Sequence, residues 1–169
     1  FLDTKTKSVL SLNTKTGATS LISGFNATHA HLYKSNTDQT VHLWSAYDKG
    51  TAHQVYKGRK LIKDEILFDG KSKNSNNAEF EIIHVLQPND STVWLSANKG
   101  LVKLDLSTNK YSVYDSWRDQ KVRELRYTIT GDNGLLWVAT GPDGIYTFDS
   151  KTNQFTNNLR NDKFDPFSI

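Results

Sequence analysis

The stretch of residues 130–155, TGDNGLLWVATGPDGIYTFDSKTNQF, decides the fold. Its apolar run at 135–139 contains a tryptophan and is bounded by glycine-rich sequence, a pattern that indicates a strand between turns. The β-branched and aromatic run at 145–148 predicts a second strand. The polar residues at 149–153 can hydrogen-bond their own backbone and predict a turn. The stretch therefore predicts two short strands with their tight turns, followed by the start of a third strand.

The same unit recurs upstream in the chain. Residues 93–111, VWLSANKGLVKLDLSTNKY, repeat it almost position for position, and residues 42–50, HLWSAYDKG, repeat its first half. The shared tryptophans are Trp44, Trp94 and Trp137, so the spacings are 94−44=50 and 137−94=43 residues. Repeats of this length are typical of four-stranded propeller blades. A tryptophan that recurs at one blade position predicts packing between adjacent blades.

The fold class predicted from these repeats is all-β, built from β-propeller blades of four antiparallel strands. Propellers commonly have four to eight blades. Only three full blades and a partial one can be counted in this chain. We therefore expect it to be part of a larger propeller, of seven blades. Its predicted segments are a partial blade at 1–12, three full blades at about 29–63, 79–114 and 122–157, and a tail at 158–169 that leads to a further blade.

The composition excludes several kinds of site. The 169 residues include no cysteine, which excludes disulfides and thiolate metal sites. The sequence has no apolar run long enough to cross a bilayer and no signal-peptide pattern, so we expect no membrane contact by this segment. The net charge is +3, but the lysines are interspersed with acidic residues. This mixed pattern favours a solvated surface, and we expect no nucleic-acid partner.

The repeated pattern D-x-x-G-x-[LV]-W-x-x-[TA], followed by G-[IL] and by D-x-x-T-[NK]-x-[FY], resembles the two-component regulator propeller repeat. Residues 162–168, DKFDPFS, also resemble the linker that precedes the next inner strand in that family. The resemblance covers most of the chain. It implies the periplasmic sensor region of a hybrid two-component system, in which oligosaccharide binding is relayed to a cytoplasmic histidine kinase.

We therefore expect a non-catalytic, ligand-sensing segment on the periplasmic side of a membrane-anchored parent, with an oligosaccharide as ligand and with no cofactor or metal. Exposed edge strands are an association hazard, so we expect the remaining blades or a second copy of the chain as further partners. Two alternatives stay open. The chain could be a structural or protein-interaction propeller, or a glycan-processing enzyme of the sialidase or lyase type.

The enzyme alternative depends on residues 130–137, TGDNGLLW, which resemble the Asp-box of sialidases. That box is itself a structural turn. A sialidase also needs an arginine cluster, and Arg123 and Arg126 differ by an odd offset on a predicted strand, so they would face opposite ways. We predict no catalytic residues.

The histidines are expected to be structural. His29 and His31 share one face of a predicted strand, but a metal site would need further ligands from a neighbouring blade. His84 lies in an apolar strand, and the sequence after it does not match a phosphoacceptor motif. It is interpreted as a blade histidine.

Trp117 lies outside the repeat, beside Arg118, in a predicted crossover between blades. Aromatic rings offer apolar faces to sugars, and arginine offers a planar fork to carboxylate or sulfate groups. In a propeller, these crossovers and the turns between the second and third strands emerge on the same face. Loops on a rigid scaffold commonly carry function. The predicted ligand-binding residues at this rim are Trp117, Arg118, Tyr47, Asp48, Asn98, Lys99 and Asp143.

Overall fold

A computed structural model describes residues 2–3, 8–12, 15–16, 18–23, 27–47, 50–68 and 80–160. The described chain is all-β, apart from a single 3-10 turn at Asp132–Gly134. No helix in this part of the chain has the length and apolar character that crossing a bilayer requires.

Antiparallel sheets follow one another along the chain, and the strand order in each sheet follows the sequence. The first sheet has three strands: β1 (Leu2–Asp3), β2 (Ser8–Leu12) and β3 (Thr19–Ser23). Blade 1 contains β4 (His29–Lys34), β5 (Thr40–Tyr47), β6 (Gly50–Lys57) and β7 (Lys60–Leu67). Blade 2 contains β8 (Ile82–Leu86), β9 (Thr92–Ala97), β10 (Gly100–Asp105) and β11 (Lys110–Tyr114). A small hairpin of β12 (Ser116–Trp117) and β13 (Gln120–Lys121) leads to blade 3, which contains β14 (Leu125–Thr130), β15 (Leu135–Thr140), β16 (Ile145–Asp149) and β17 (Gln154–Leu159).

The four-stranded antiparallel sheets confirm the predicted blade architecture, while the total of seven blades stays a prediction. The structure differs from the predicted segments at their ends. The first sheet continues past residue 12 because β3 pairs with β2, and blade 1 continues past residue 63 to Leu67. The predicted crossover after blade 2 contains the β12–β13 hairpin. The predicted tail begins inside β17, and its residues 161–169 lie outside the described part of the chain.

Two of the three recurrent tryptophans pack between blades, as predicted. Trp44 and Trp94 occupy the second strands of blades 1 and 2, opposite His53 and Lys103 in the third strands. Trp44 belongs to a buried cluster whose other members include Val85 of blade 2. Trp94 belongs to a second cluster, made largely of blade 3 side chains. Each of these two tryptophans therefore joins its own blade to the blade that follows. The third tryptophan, in β15, is only half-buried.

Blade 2 lies between the other two, and its strand β9 is buried on both faces. Because successive side chains of a strand point to opposite faces, Val93 and Leu95 enter the cluster shared with blade 1, whereas Trp94 enters the cluster shared with blade 3. A strand that is buried on both faces appears in the sequence as a continuous run of apolar residues. The blades therefore share their cores with their neighbours.

The inner strands of the three blades meet through aromatic rings. The His84 ring on β8 lies 4.2 Å from that of His29 on β4 and 4.6 Å from that of Tyr127 on β14, measured between centroids. The backbone N–H of Thr128 donates to Nδ1 of His84 at 3.4 Å. His84 thus accepts a hydrogen bond from the neighbouring blade, which supports its interpretation as a blade histidine.

A second set of histidines crosses the face of blade 1. Nδ1 of His42 lies 3.0 Å from Nε2 of His53, whose Nδ1 lies 2.9 Å from a carboxylate oxygen of Glu65. The His53 ring also stacks on Trp44 at 3.8 Å between centroids. These side chains link β5, β6 and β7 and explain His42 and His53 as structural residues.

Candidate ligand site at the rim of blades 2 and 3

The rim predicted from the sequence is built by backbone hydrogen bonds between two blades. Glu124 lies just before β14 and has a φ of 52°. Its N–H donates to the carbonyl of Asn98 at 3.1 Å, and its carbonyl accepts from the N–H of Gly141 at 3.0 Å. Asn98 lies in the β9–β10 turn of blade 2, and Gly141 lies in the β15–β16 turn of blade 3. Glu124 therefore ties the two turns to the entrance of the inner strand.

The β9–β10 turn owes its shape to Gly100, which has a φ of 133°. A Cβ atom at this position would lie 2.6 Å from the carbonyl oxygen of Tyr114. Only glycine combines this backbone conformation with so close an approach. The turn therefore holds Asn98 and Lys99 at the rim, directly beside the end of β11.

A cavity of about 450 Å³ lies at this rim. Small-molecule sites are typically clefts of roughly 300–1,000 Å³, so the cavity is large enough for a small ligand. Ile83 of β8 contributes an apolar side chain. The polar side chains that line the cavity are Glu81, Asn98, Lys99, Arg123, Glu124 and Arg126.

Arg123 and Arg126 both line this cavity, although their odd offset predicts side chains that face opposite ways. The offset argument requires regular strand geometry between the two residues. Arg123 lies before β14 begins, and Glu124 between them has a positive φ. The pairing of β14 with β15 also shifts register between Leu125 and Tyr127. Sequence reasoning missed this convergence because neither irregularity has a clear sequence signal.

The cavity carries more positive than negative charge. Nη2 of Arg126 lies 3.8 Å from Oε2 of Glu124, and both side chains are exposed, so this ion pair is worth little. Within the described residues, no ion pair involves Lys99 or Arg123. Oδ1 of Asn98 accepts from the backbone N–H of Glu81 at 3.3 Å, which links the two lining residues. The cavity therefore offers several cationic donors around a polar wall.

Trp117 and Arg118 line a different cavity, of about 540 Å³, between the β12–β13 hairpin and β17. The Trp117 ring packs edge-on against Tyr146 of blade 3 at 5.8 Å. The Arg118 guanidinium carbon lies 4.6 Å from the centroid of the same ring. Trp117 is thus engaged in packing on blade 3, and Arg118 covers part of the ring that was expected to contact sugars.

The remaining predicted site residues lie in the equivalent turns or outside the described chain. Tyr47 is half-buried at the end of β5 in blade 1. Asp48 lies outside the described residues. Asp143, in the β15–β16 turn, donates its N–H to Oγ1 of Thr140 at 3.0 Å and accepts at its carbonyl from Nδ2 of Asn158 at 2.8 Å. The structure brings Asn98 and Lys99 together in one cavity. It does not bring Tyr47, Trp117, Arg118 or Asp143 into that cavity.

The described part of the chain contains no group of three or more His, Asp or Glu side chains that could hold a metal ion. His29 and His31 lie in β4, and Nε2 of His31 accepts from the backbone N–H of Gln87 at 3.2 Å. Both rings are partly buried between blades, and burial lowers the pKa of each below its ordinary value. Their geometry is that of inter-blade packing.

Comparison with curated proteins finds a protein with a similar segment. The chain is 33% identical over 102 residues to the histidine kinase P4 of Formosa agariphila. The match covers 59% of the chain but 7% of the kinase. No protein-family profile matches the chain.

Solved structures of similar fold are extracellular domains from B. thetaiotaomicron. One belongs to the hybrid two-component system BT3049, with a TM-score of 0.55 and 19% identity, and the match covers 78% of the chain and 18% of that domain. Another belongs to the one-component system BT4673, with a TM-score of 0.60 and 16% identity, and the match covers 95% of the chain and 24% of that domain. At such identities the likeness is one of fold.

These comparisons confirm the resemblance to two-component regulator proteins. The chain spans a small part of each protein that it matches, from 7% of the kinase to 24% of the second domain. The relatives are therefore similar in one segment, and their wider activities belong to the whole proteins.

Proposed function

We propose that the chain is a non-catalytic, ligand-sensing propeller segment of an extracytoplasmic two-component sensor. The observation that carries this proposal is the rim cavity, which is assembled by loops of two adjacent blades and tied together by the backbone of Glu124. Loops held by a rigid scaffold are common sites of binding. The likeness to the extracellular domain of a hybrid two-component system supports the sensing role, and the likeness to two extracellular domains supports the extracytoplasmic placement.

The proposed ligand is an oligosaccharide. The cavity wall offers carboxylates that accept hydrogen bonds from sugar hydroxyls, as well as cationic and amide donors. Its polar character suits a hydroxyl-rich ligand.

The proposed mechanism uses the position of the cavity between blades. A ligand shifts an equilibrium only by its differential affinity for the two states. A sugar that contacts both Lys99 of blade 2 and Arg126 of blade 3 would bind best to one relative arrangement of the two loops. Signal transmission would then follow from a change in how the sensor domains pack, and remaining blades or a second chain are the proposed partners in that packing.

The experiment is a binding screen with the protein encoded by the complete gene. Calorimetry against a panel of neutral and acidic oligosaccharides should give saturable binding of at least one member, without consumption of the sugar. The Lys99→Ala variant should weaken that binding. Arg59→Ala is the matched control, because this exposed residue lies in the β6–β7 turn at the opposite rim. Absence of binding across the panel, or hydrolysis of a bound sugar, would contradict the proposal.

A further inference from the structure

The rim cavity concentrates cationic side chains that a neutral sugar would not need. Lys99, Arg123 and Arg126 all line it, against the two carboxylates of Glu81 and Glu124. The excess is one positive charge. Because Lys99 and Arg123 have no ion-pair partner within the described residues, their charges stay available to a ligand.

The backbone that assembles this cluster is strained. A positive φ is uncommon for a residue with a side chain, and the φ of 52° at Glu124 is held by hydrogen bonds to Asn98 and Gly141. Strained backbone conformations occur preferentially at functional sites, where the surrounding structure fixes them. Here the strain has a direct consequence, because it lets Arg123 and Arg126 converge on one cavity despite their odd spacing.

We propose that the rim cavity binds an anionic substituent of a saccharide, either a carboxylate or a sulfate group, with Arg123 and Arg126 as the principal contacts. The planar guanidinium group of arginine binds such oxyanions through two parallel hydrogen bonds. Lys99 supplies a third positive charge from the neighbouring blade. The carboxylate of Glu81 accepts hydrogen bonds from hydroxyls of the same sugar, and Ile83 offers an apolar surface beneath the ring.

This inference rests on the proposed function, since it names the ligand class of the same cavity. It differs from the sequence-based prediction, in which Trp117 and Arg118 were the main ligand contacts. Arg118 lies over the Trp117 ring in a separate cavity. The anion-binding residues instead come from the entrance to β14.

The test compares three saccharides of equal length, one neutral, one with a uronic acid and one with a sulfate ester, on the protein encoded by the complete gene. We expect at least one of the anionic saccharides to bind about tenfold or more tightly than the neutral one, because charge-assisted hydrogen bonds are the stronger kind. This preference should weaken as the salt concentration rises. The difference in affinity between the saccharide with a uronic acid and the one with a sulfate ester identifies which oxyanion is preferred.

The double variant Arg123→Ala/Arg126→Ala should lose the preference for the anionic saccharide. Arg123→Lys should lose part of it, since lysine keeps the charge but not the planar fork. The control variant Arg59→Ala should keep the full preference. Thermal melting of each variant establishes that it is folded, because both arginines are exposed.

The outcomes separate the two proposals. If no saccharide binds, the proposed function fails. If saccharides bind without preference for the anionic members, or if the double variant keeps the preference, the anion site is overturned while the sensing role stands. Inorganic sulfate is a further probe: sulfate that competes as well as the sulfated saccharide would overturn the saccharide part of the inference.

Discussion

His84 shows how one buried side chain can couple the blades to pH. Burial lowers its pKa to about 3, and the nearby His29 and His31 rings act in the same direction. The ordinary histidine value is about 6.5. Nδ1 accepts a hydrogen bond from the N–H of Thr128. A proton on Nδ1 would make this nitrogen a donor that faces the Thr128 N–H, and the hydrogen bond would be lost. The neutral ring is therefore the form that fits between the inner strands of blades 2 and 3.

The consequence is a loss of stability in acid. Unfolding frees the His84 ring to bind a proton below pH 6.5, whereas the folded chain binds that proton only near pH 3. The free energy of unfolding should therefore be highest above pH 6.5 and fall as the pH drops from 6.5 towards 3. Urea denaturation at several pH values measures this slope.

The slope should be shallower in His84→Asn, which cannot titrate, although this variant should be less stable than the wild type at pH 7. Lys57→Ala, at the exposed end of β6, is a control that should leave the slope unchanged. Identical pH slopes for His84→Asn and the wild-type chain would contradict the assignment of His84 as a source of acid sensitivity.

At the residue scale, the sequence predicted the packing tryptophans better than it predicted which residues line the rim cavity. The buried positions of Trp44 and Trp94 follow from the repeat alone. In stacked repeats, a large apolar side chain that recurs at one repeat position has the same surroundings in each repeat, between its own blade and the next. The rim location of Asn98 and Lys99 follows from the predicted turn between the second and third strands of their blade. Arg123 and Arg126 could not be predicted, because their convergence depends on the positive φ of Glu124.

At the scale of elements, glycine turns set the geometry of the rim. Gly100 and Gly58 both have positive φ, 133° and 62°. A Cβ on Gly100 would lie 2.6 Å from the carbonyl oxygen of Tyr114, whereas a Cβ on Gly58 would meet no atom within 4 Å. Substitution of Gly58 therefore tests backbone strain alone, whereas substitution of Gly100 tests backbone strain together with a steric clash.

Gly100→Ala should cost about 3 kcal/mol of unfolding free energy, because a clash with backbone atoms adds to the strain. Gly58→Ala should cost about 1–2 kcal/mol, the strain of a left-handed residue alone. Chemical denaturation of both variants measures the difference. Equal losses would mean that the chain between β11 and β12 moves aside, and the close approach at Gly100 would then not constrain the rim.

Small elements were the hardest to predict. The β12–β13 hairpin depends on positive φ angles at Arg118 and Asp119, of 47° and 64°. Neither residue is a glycine, so the tight two-residue turn lacks its strongest sequence signal. The strand β3 (Thr19–Ser23) also lies outside the predicted segments, which place the partial blade at 1–12 and the first full blade at about 29–63.

At the scale of the whole molecule, the blades interact with their neighbours in sequence. Leu95 belongs to the core shared by blades 1 and 2, and Trp94 belongs to the core shared by blades 2 and 3. These adjacent residues of β9 point to opposite faces of one sheet. In stacked repeats, stability is approximately a sum of repeat and nearest-neighbour interface terms. Substitutions at the two positions should therefore weaken different interfaces.

We expect Trp94→Ala to cost about 3–5 kcal/mol and Leu95→Ala about 2–5 kcal/mol, as for other large buried side chains. Hydrogen exchange followed by mass spectrometry locates each loss. Trp94→Ala should accelerate exchange in β14–β16 more than in β4–β6, and Leu95→Ala should show the reverse. Both variants should accelerate exchange in blade 2. If both variants accelerate exchange uniformly over the three blades, the blades unfold as one cooperative unit. A structural change at the rim would then affect all three blades rather than only neighbouring ones.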